Sequence, residues 1–134
     1  MADTFTMKLD EIQPSQLYIS QKKLKKIMKL FEKDLTHLIP PIPIKQLDGH
    51  MMSTDGHTRS LAWYLNGYTQ VECEWEDSDL DWEAYSICIR WCIEEGIHSI
   101  INLKERIVPH DQYKIVWLER CQIMQDELAK KRDI

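Results

Sequence analysis

The chain has 134 residues, of which 43% are hydrophobic and 29% are charged, and these proportions predict a single globular domain rather than a disordered chain. The net charge of −5 gives no general attraction to nucleic acid, so we do not expect a nucleic-acid partner. No apolar run approaches the length that crosses a bilayer, and the first residues, MADTFTMKLDEI, lack the blocks of a signal peptide. We therefore expect a cytoplasmic protein with no membrane contact.

The first predicted elements are a strand and a lysine-rich helix. Alternation over residues 5–12 predicts the strand, which Pro14 ends because proline cannot donate to a ladder. Ser20 is a suitable N-cap for a helix that runs through Lys33 with an apolar stripe at Leu24, Ile27, Met28 and Phe31. Its other face carries Lys22, Lys23, Lys25, Lys26 and Lys29. This face is either a solvated surface or a patch that faces a nucleotide, a nucleic acid or an acidic partner.

A second strand and a hairpin follow. The strand is predicted over residues 38–47, and its prolines at 40, 41 and 43 indicate an edge position at its start. Asp48 and Gly49 lie between apolar segments and predict a tight turn, since the turn that matches strand twist needs positive φ. A short return strand completes the hairpin.

A polar loop at residues 55–59 then leads into a second helix. Helical spacing begins at Ser60, and Gly67 stands where a left-handed C-terminal cap is expected. The side chains predicted to face inward are Leu61, Ala62, Tyr64 and Leu65. Residues 70–75 alternate apolar and polar side chains, which predicts a half-buried strand.

The second half of the chain is predicted to be helical. One helix runs from about Leu80 to Glu95, with its cap within residues 77–79; a short helical piece follows, and the last helix covers residues 112–131. The predicted fold class is therefore α+β, with a small mixed sheet in a core at residues 1–76 and an all-helical part at 77–134. This part packs on the core or forms an oligomer contact. It holds three of the five tryptophans, so we consider a homodimer through the C-terminal helices.

The cysteines, of which there are four, favour buried reduced thiols. No pair has Cys-x-x-Cys spacing and no Cys/His cluster has zinc spacing, so the sequence predicts no metal site. Cys88 and Cys92 lie one helical turn apart among apolar neighbours, and we expect both to face the core.

The loop at residues 55–59, DGHTR, has the residue types of an anion site. A helix N-terminus carries unpaired N–H groups and a partial positive charge, so it favours a phosphate. Gly56 lets the backbone approach a ligand closely, and Arg59 can donate a bidentate pair of charge-assisted hydrogen bonds. The candidate phosphate- or nucleotide-binding residues are Gly56, His57, Thr58, Arg59 and Ser60. Alternatively, Asp55 or Thr58 only caps the helix and Arg59 is solvated.

The order of motifs around this loop resembles the ParB/sulfiredoxin-like superfamily. The motifs are EIQPSQL at 11–17, IPI at 42–44, the DGHTR loop and YTQVEC at 68–73. The resemblance to a ParB N-terminal-like domain spans about residues 9–75. It implies a strand that ends in a polar segment with proline, a helix, a strand that starts with proline, a hairpin, the loop with its helix, and a further strand.

Members of this superfamily differ in their loops. Sulfiredoxins carry a cysteine where this chain has His57, so the resemblance does not imply sulfinic acid reduction. Chromosome-partitioning ParB proteins carry a GERR loop that grips a cytidine nucleotide. Gly56 and Arg59 match that loop, whereas His57 and Thr58 replace its glutamate and first arginine.

The loop is most similar to the D-G-H-x-R loop of the free-serine kinases. This similarity implies catalytic or phosphate-gripping roles for Asp55, Gly56, His57 and Arg59. Phosphoryl transfer needs positioning, charge neutralisation and a carboxylate that takes a proton or holds a metal. Those kinases have a glutamate after the first strand, whereas this chain has YISQ at 18–21.

Three hypotheses of function remain open. The first is a regulatory or sensing domain that binds a nucleotide, with Mg²⁺, or another phosphate-bearing small molecule. The second is a small phosphotransferase or nucleotide hydrolase that uses Asp55 and His57. The third is a protein-interaction domain without a ligand. A carboxylate reaching the loop from Glu72 or Glu74 would favour the enzyme, and a loop closed by its own salt bridges would favour the interaction domain.

Overall fold

The fold is built around a small mixed β-sheet. The computed structural model describes residues 3–133; residues 1, 2 and 134, at the outer ends of the two predicted parts, lie outside the described residues. The strands are β1 (Thr4–Lys8), β2 (Ile19–Ser20), β3 (Ile42–Leu47), β4 (His50–Ser53), β5 (Gln70–Trp75) and β6 (Ile107–Val108). The main sheet has the order β1-β5-β3-β4, in which β3 and β5 are parallel and the other neighbours are antiparallel. The α+β prediction is confirmed.

Four helices surround this sheet in the part of the chain that the structure describes. They are α1 (Gln21–Glu32), α2 (His57–Leu65), α3 (Trp82–Glu94) and α4, a continuous helix of α segment His110–Tyr113, π segment Lys114–Glu119 and α segment Arg120–Arg132. Short 3₁₀ turns cover Leu9–Glu11, Thr36–Leu38 and Ile100–Glu105. The first strand therefore ends at Lys8, earlier than the predicted residue 12.

The predicted hairpin and its strands are confirmed with one change of boundary. Asp48 and Gly49 have φ values of 53° and 78°, as the tight turn requires. β3 begins at Ile42 rather than at residue 38, and it is an inner strand of the sheet. At its start, however, Ile42 and Pro43 pair with β5 alone, because the β4 ladder begins at Ile44. On the β4 side the carbonyl of Pro43 accepts a hydrogen bond from Thr54 N at 3.1 Å, and the ladder with β4 starts one residue later, so the missing N–H of the proline costs no ladder bond.

Helix α1 has the predicted cap and face. The Ser20 hydroxyl accepts a hydrogen bond from Lys23 N at 3.3 Å, and Leu24 is buried. Phe31 packs edge-on against Trp63 of α2, with 4.9 Å between the ring centres, so α1 lies against α2. One predicted inward residue of α2 is wrong. Leu65 is 42% exposed, because the helix reaches the surface in its last turn and residues 65–70 are all exposed.

The second half joins the first in a common core. One buried cluster contains residues of both parts, including Ile42, Ile44, Leu61, Cys88, Cys92, Leu103 and Trp117. The second half is helical apart from β6, which pairs in parallel with β2. Helix α3 is capped by Asp81, whose Oδ1 accepts from Ala84 N at 3.2 Å, so the cap lies later than predicted. α4 begins at His110, before the predicted residue 112.

The cysteine predictions agree with the structure where it describes them. Cys88 and Cys92 are buried, and none of the cysteines is bridged. Burial is the largest cause that raises the pKa of the Cys92 thiol to about 12, so this thiol stays protonated at neutral pH. Among the described residues, no helix combines the length and the apolar character that crossing a bilayer requires.

Candidate functional site

The DGHTR loop joins β4 to α2 and places backbone N–H groups at a helix start. Gly56 is the N-cap residue and has a φ of 75°, a left-handed conformation that suits glycine. In the described part of the chain no side chain caps this helix, and its first internal bond runs from Ser60 N to Gly56 O at 2.9 Å. The helix thus starts at His57, before the predicted Ser60, and the N–H groups of residues 57–59 form its N-terminus.

Arg59 reaches from α2 across the loop and is held by backbone oxygens. Its Nη1 donates to Pro40 O at 3.3 Å and Pro41 O at 3.4 Å. The guanidinium covers Gly56 so closely that a Cβ built on Gly56 would lie 2.7 Å from Nη2. Arg59 is half-buried and forms no ion pair within residues 3–133, so its charge is positioned without being neutralised.

A cleft of about 560 Å³ opens beside the loop. It is lined by all five loop residues together with Lys23 and Lys26 of α1 and Gln16, Ile27, Pro40 and Tyr113. Arg59 lies at the edge of this cleft. Because the cleft walls carry three cationic groups and one carboxylate, Asp55, the cleft has an excess of positive charge.

His57 points its imidazole into the interior rather than standing on the open loop. It is 4% exposed, and its Nε2 accepts a hydrogen bond from Ser15 N at 3.0 Å and lies 3.1 Å from Ser53 Oγ. An Nε2 that accepts from a backbone N–H carries no proton, so the neutral ring holds its proton on Nδ1. Burial lowers the pKa of His57 to about 4; Asp55 opposes this shift and Arg59 adds to it.

His57 contributes to the walls of two cavities. One is the basic cleft, and the other is a cavity of about 390 Å³; Gln16 also lines both. The second cavity lies between the core and helices α3 and α4, with Cys88, Trp117 and Cys121 in its wall.

The remaining predicted residues lie at different depths. Ser60 is fully buried, and its hydroxyl donates to Gly56 O at 2.8 Å. This hydrogen bond stabilises the loop at Gly56, and Ser60 itself does not line the cleft. Thr58 is half-buried and Asp55 is exposed, and both line the cleft. Glu72 and Glu74 do not line it, and no ion pair closes the loop in the described part of the chain.

Several site residues are absent from the sequence prediction. Ser15 and Ser53 hold His57, and the carbonyl groups of Pro40 and Pro41 hold Arg59. Their sequence signals are weak: Ser15 lies in the EIQPSQL motif, and Ser53 and the proline pair lie close to the ends of predicted strands. Within the described residues, no group of three or more His, Cys, Asp or Glu side chains could together hold a metal ion.

Comparisons with known proteins give similarity in structure alone. No protein-family model matches the chain, and a search of curated proteins found no match. The solved structure of protein Atu1540 from Agrobacterium tumefaciens is 13% identical, with a TM-score of 0.48, and the match covers 73% of this chain and 51% of that protein. A Pnob8-like structure is 16% identical, with a TM-score of 0.43, over 59% of this chain and 31% of the other. This second protein is a ParB-N domain.

Proposed function

We propose that this chain is a ParB-like domain that binds a nucleotide, with Mg²⁺, or another phosphate-bearing small molecule at the DGHTR loop, in a regulatory or sensing role. One observation carries the proposal. Lys23, Lys26 and Arg59 converge with the uncapped N-terminus of α2 on one cleft of about 560 Å³. Phosphates bind at such places because helix N–H groups and cationic side chains both donate hydrogen bonds to anionic oxygens.

The state of Arg59 supports binding of an anion. Its Nη1 is fixed by two carbonyl oxygens, which restrict the guanidinium before a ligand arrives. The positive charge has no carboxylate partner within the described residues, so a phosphate would not have to displace one. A pre-positioned cation binds with less loss of side-chain entropy than a mobile one.

The same geometry favours binding over catalysis. His57 is the neutral acceptor in a buried hydrogen-bond network, which leaves its Nε2 unable to take a proton from a substrate. Of the residues that the structure describes, Asp55 alone places a carboxylate in the cleft wall. The phosphotransferase alternative therefore depends on Asp55 alone, without the second acidic group that the similar kinases place after their first strand.

A thermal-shift experiment with ATP, ADP, CTP and GTP, each with Mg²⁺, tests the proposal. A ligand at about a hundred times its dissociation constant adds roughly 2.7 kcal/mol to the free energy of unfolding. We expect at least one nucleotide to stabilise the parent protein and to lose this effect in Arg59→Ala, since a charge-assisted contact typically contributes ~1.5–3 kcal/mol. Lys104→Ala is the control, because Lys104 is an exposed cation that lies outside both the cleft and the groove between α3 and α4.

The outcomes separate the hypotheses. Nucleotide stabilisation that persists in Arg59→Ala would refute the site. No stabilisation of the parent by any nucleotide or by pyrophosphate would leave the interaction-domain hypothesis. Nucleotide turnover that disappears in Asp55→Asn while binding remains would replace the sensing role with the phosphotransferase.

A further inference from the structure

Helix α1 carries five exposed lysines, of which only two line the loop cleft. Its exposed lysines are Lys22, Lys23, Lys25, Lys26 and Lys29. Lys23 and Lys26 line the loop cleft. A different cavity, of about 330 Å³, lies beside the same helix, and its wall consists of Lys22, Lys25, Lys26, Lys29, Gln21, Pro109 and His110. Lys26 belongs to both walls, so the two cavities adjoin. We call this cavity of about 330 Å³ the basic bay.

Among residues 3–133, no acidic side chain lines the basic bay. Within residues 3–133, the ion pairs join Arg106, Arg120 and Arg132 to acids elsewhere, and none involves a lysine of α1. The lysines nearby also affect His110, whose pKa is lowered by desolvation first and then by Lys114, Lys22 and Lys23. The bay is therefore locally positive although the chain as a whole is acidic.

This arrangement opposes the stability of the helix that carries it. Lys22 with Lys26, and Lys25 with Lys29, are like charges at a spacing of four, which destabilises a helix. Lys22 and Lys23 lie in the first turn, where the helix dipole disfavours a cation and no acidic residue is present. Residues that destabilise their own helix in this way are expected at functional sites, so the lysines of α1 indicate a function.

The shape and chemistry of the two cavities together point to a chain of phosphates. Lys22 and Lys29 are separated by about 10 Å along the helix axis, so one phosphate cannot contact both ends. A single-stranded nucleic acid would need exposed aromatic rings on which its bases stack. Three rings of the described chain lie in the two walls. His57 is buried, and His110 and Tyr113 stack on each other with 5.9 Å between their ring centres, with Lys23 over Tyr113. These rings are therefore not available to stack on bases, which disfavours a single-stranded nucleic acid as the ligand.

We infer that the basic bay is a second phosphate subsite, and that the loop cleft and the bay together bind a linear oligophosphate chain. This inference rests on the proposed function, because one end of the chain occupies the loop cleft. The shared chemistry is a run of phosphate groups, which inorganic polyphosphate or the triphosphate of a nucleotide can supply.

Calorimetric titrations at constant ionic strength test the inference with pyrophosphate, tripolyphosphate, ATP and a medium-chain polyphosphate. We expect affinity to rise roughly tenfold or more from pyrophosphate to the medium chain, because each added lysine contact is charge-assisted. The double variant Lys25→Gln, Lys29→Gln should lose this increase and keep the pyrophosphate affinity. The control is Lys130→Gln, Lys131→Gln, which removes the same charge at the far end of α4 and should retain the increase.

Each result decides between the two proposals. Pyrophosphate binding without any increase with chain length, or an increase that survives in Lys25→Gln, Lys29→Gln, overturns the inference and leaves the proposed function standing. An increase lost equally in the Lys130 and Lys131 control would reflect net charge alone and also overturns it. Equal or tighter binding of a single-stranded oligonucleotide with the same number of phosphates contradicts the choice of ligand. ATP that binds as tightly as the medium chain would identify the nucleotide triphosphate as the source of the phosphates.

Discussion

His57 belongs to the DGHTR motif, but its side chain lies in the interior of the protein. Its imidazole is buried and neutral, with a pKa lowered by burial from 6.5 to about 4. In the unfolded chain the ring binds a proton near pH 6.5, whereas in the folded protein it does not until about pH 4. The unfolded state therefore binds more protons in this window, and stability falls as the pH falls through it.

We predict that replacement of His57 flattens this part of the stability profile. Between pH 6.5 and pH 4 the parent should lose roughly 3 kcal/mol of unfolding free energy that His57→Gln does not lose. Urea unfolding at a series of pH values measures the difference, and the comparison cancels the titration of other groups. His98→Gln serves as control because His98 is exposed. Parallel profiles for the parent and His57→Gln would show that the ring is not buried in its neutral form.

The role of His57 could not be read from its position in the motif. Asp55, Gly56 and Arg59 were predictable as a polar loop at a helix start because their chemistry is local. The acceptor role of His57 depends on Ser15, which lies 42 positions away in sequence. Likewise, the helical period identifies a lysine face on α1, but only the packing of α1 on α2 decides which lysines face the cleft.

At the scale of elements, two glycines with the same backbone conformation allow a matched test of the loop. Gly49 in the hairpin and Gly56 at the start of α2 have φ values of 78° and 75°. A Cβ at Gly49 would meet nothing within 4 Å, whereas one at Gly56 would meet the Arg59 guanidinium. Both positions disfavour an L side chain for the same reason, but only one contacts the site.

We expect Gly49→Ala and Gly56→Ala to lose similar stability, roughly 1–2 kcal/mol each, because both adopt left-handed conformations. Only Gly56→Ala should also displace Arg59 and remove the nucleotide-dependent rise in melting temperature. Thermal unfolding with and without nucleotide measures both effects in one experiment. A full nucleotide response in Gly56→Ala would mean that the position of Arg59 above Gly56 does not matter for binding.

The sequence predicted the elements whose signals are local. The Asp48-Gly49 turn and the Ser20 cap each depend on a few adjacent residues, and both are confirmed. The alternation of β5 is confirmed at Val71 and Cys73, which are buried, but is wrong at Trp75, which is 53% exposed at the end of the strand. The pairing of β2 with β6 was missed, since two-residue strands give no periodic signal and their partners are far apart in sequence. The π segment Lys114–Glu119 was missed as well, because its spacing differs little from that of an α-helix.

At the scale of the whole molecule, the helical half leaves an apolar groove uncovered. The groove lies between α3 and α4, holds about 530 Å³, and has Ile87, Trp91, Ile115, Ile123 and Met124 in its wall. Ile115 and Ile123 are 62% and 59% exposed. Trp117 is buried and Trp91 half-buried, so the exposed isoleucines, rather than the tryptophans, favour a contact here.

The rim of this groove favours a second copy of the chain as the partner. It carries both signs of charge, with Arg90 and Arg120 beside Glu94, Glu119 and Glu127. In a two-fold interface the same patch faces itself, so a rim of mixed sign can match its cations to the partner's acids. A surface for a strongly basic or acidic partner would instead carry one sign.

We therefore predict that the protein forms a homodimer through this groove and that Ile115→Glu disrupts it. In a two-fold dimer both protomers carry the substitution, so one change introduces two charges into the interface. Burying charges without partners is strongly unfavourable. Light scattering coupled to size-exclusion chromatography over a range of concentrations should give a dimer mass for the parent and a monomer mass for Ile115→Glu. Leu38→Glu is the control, because Leu38 is 58% exposed but lies on the Thr36–Leu38 turn, away from the groove. A monomer mass for the parent at every concentration, or equal dissociation by Leu38→Glu, would contradict the dimer and leave the groove to a different protein.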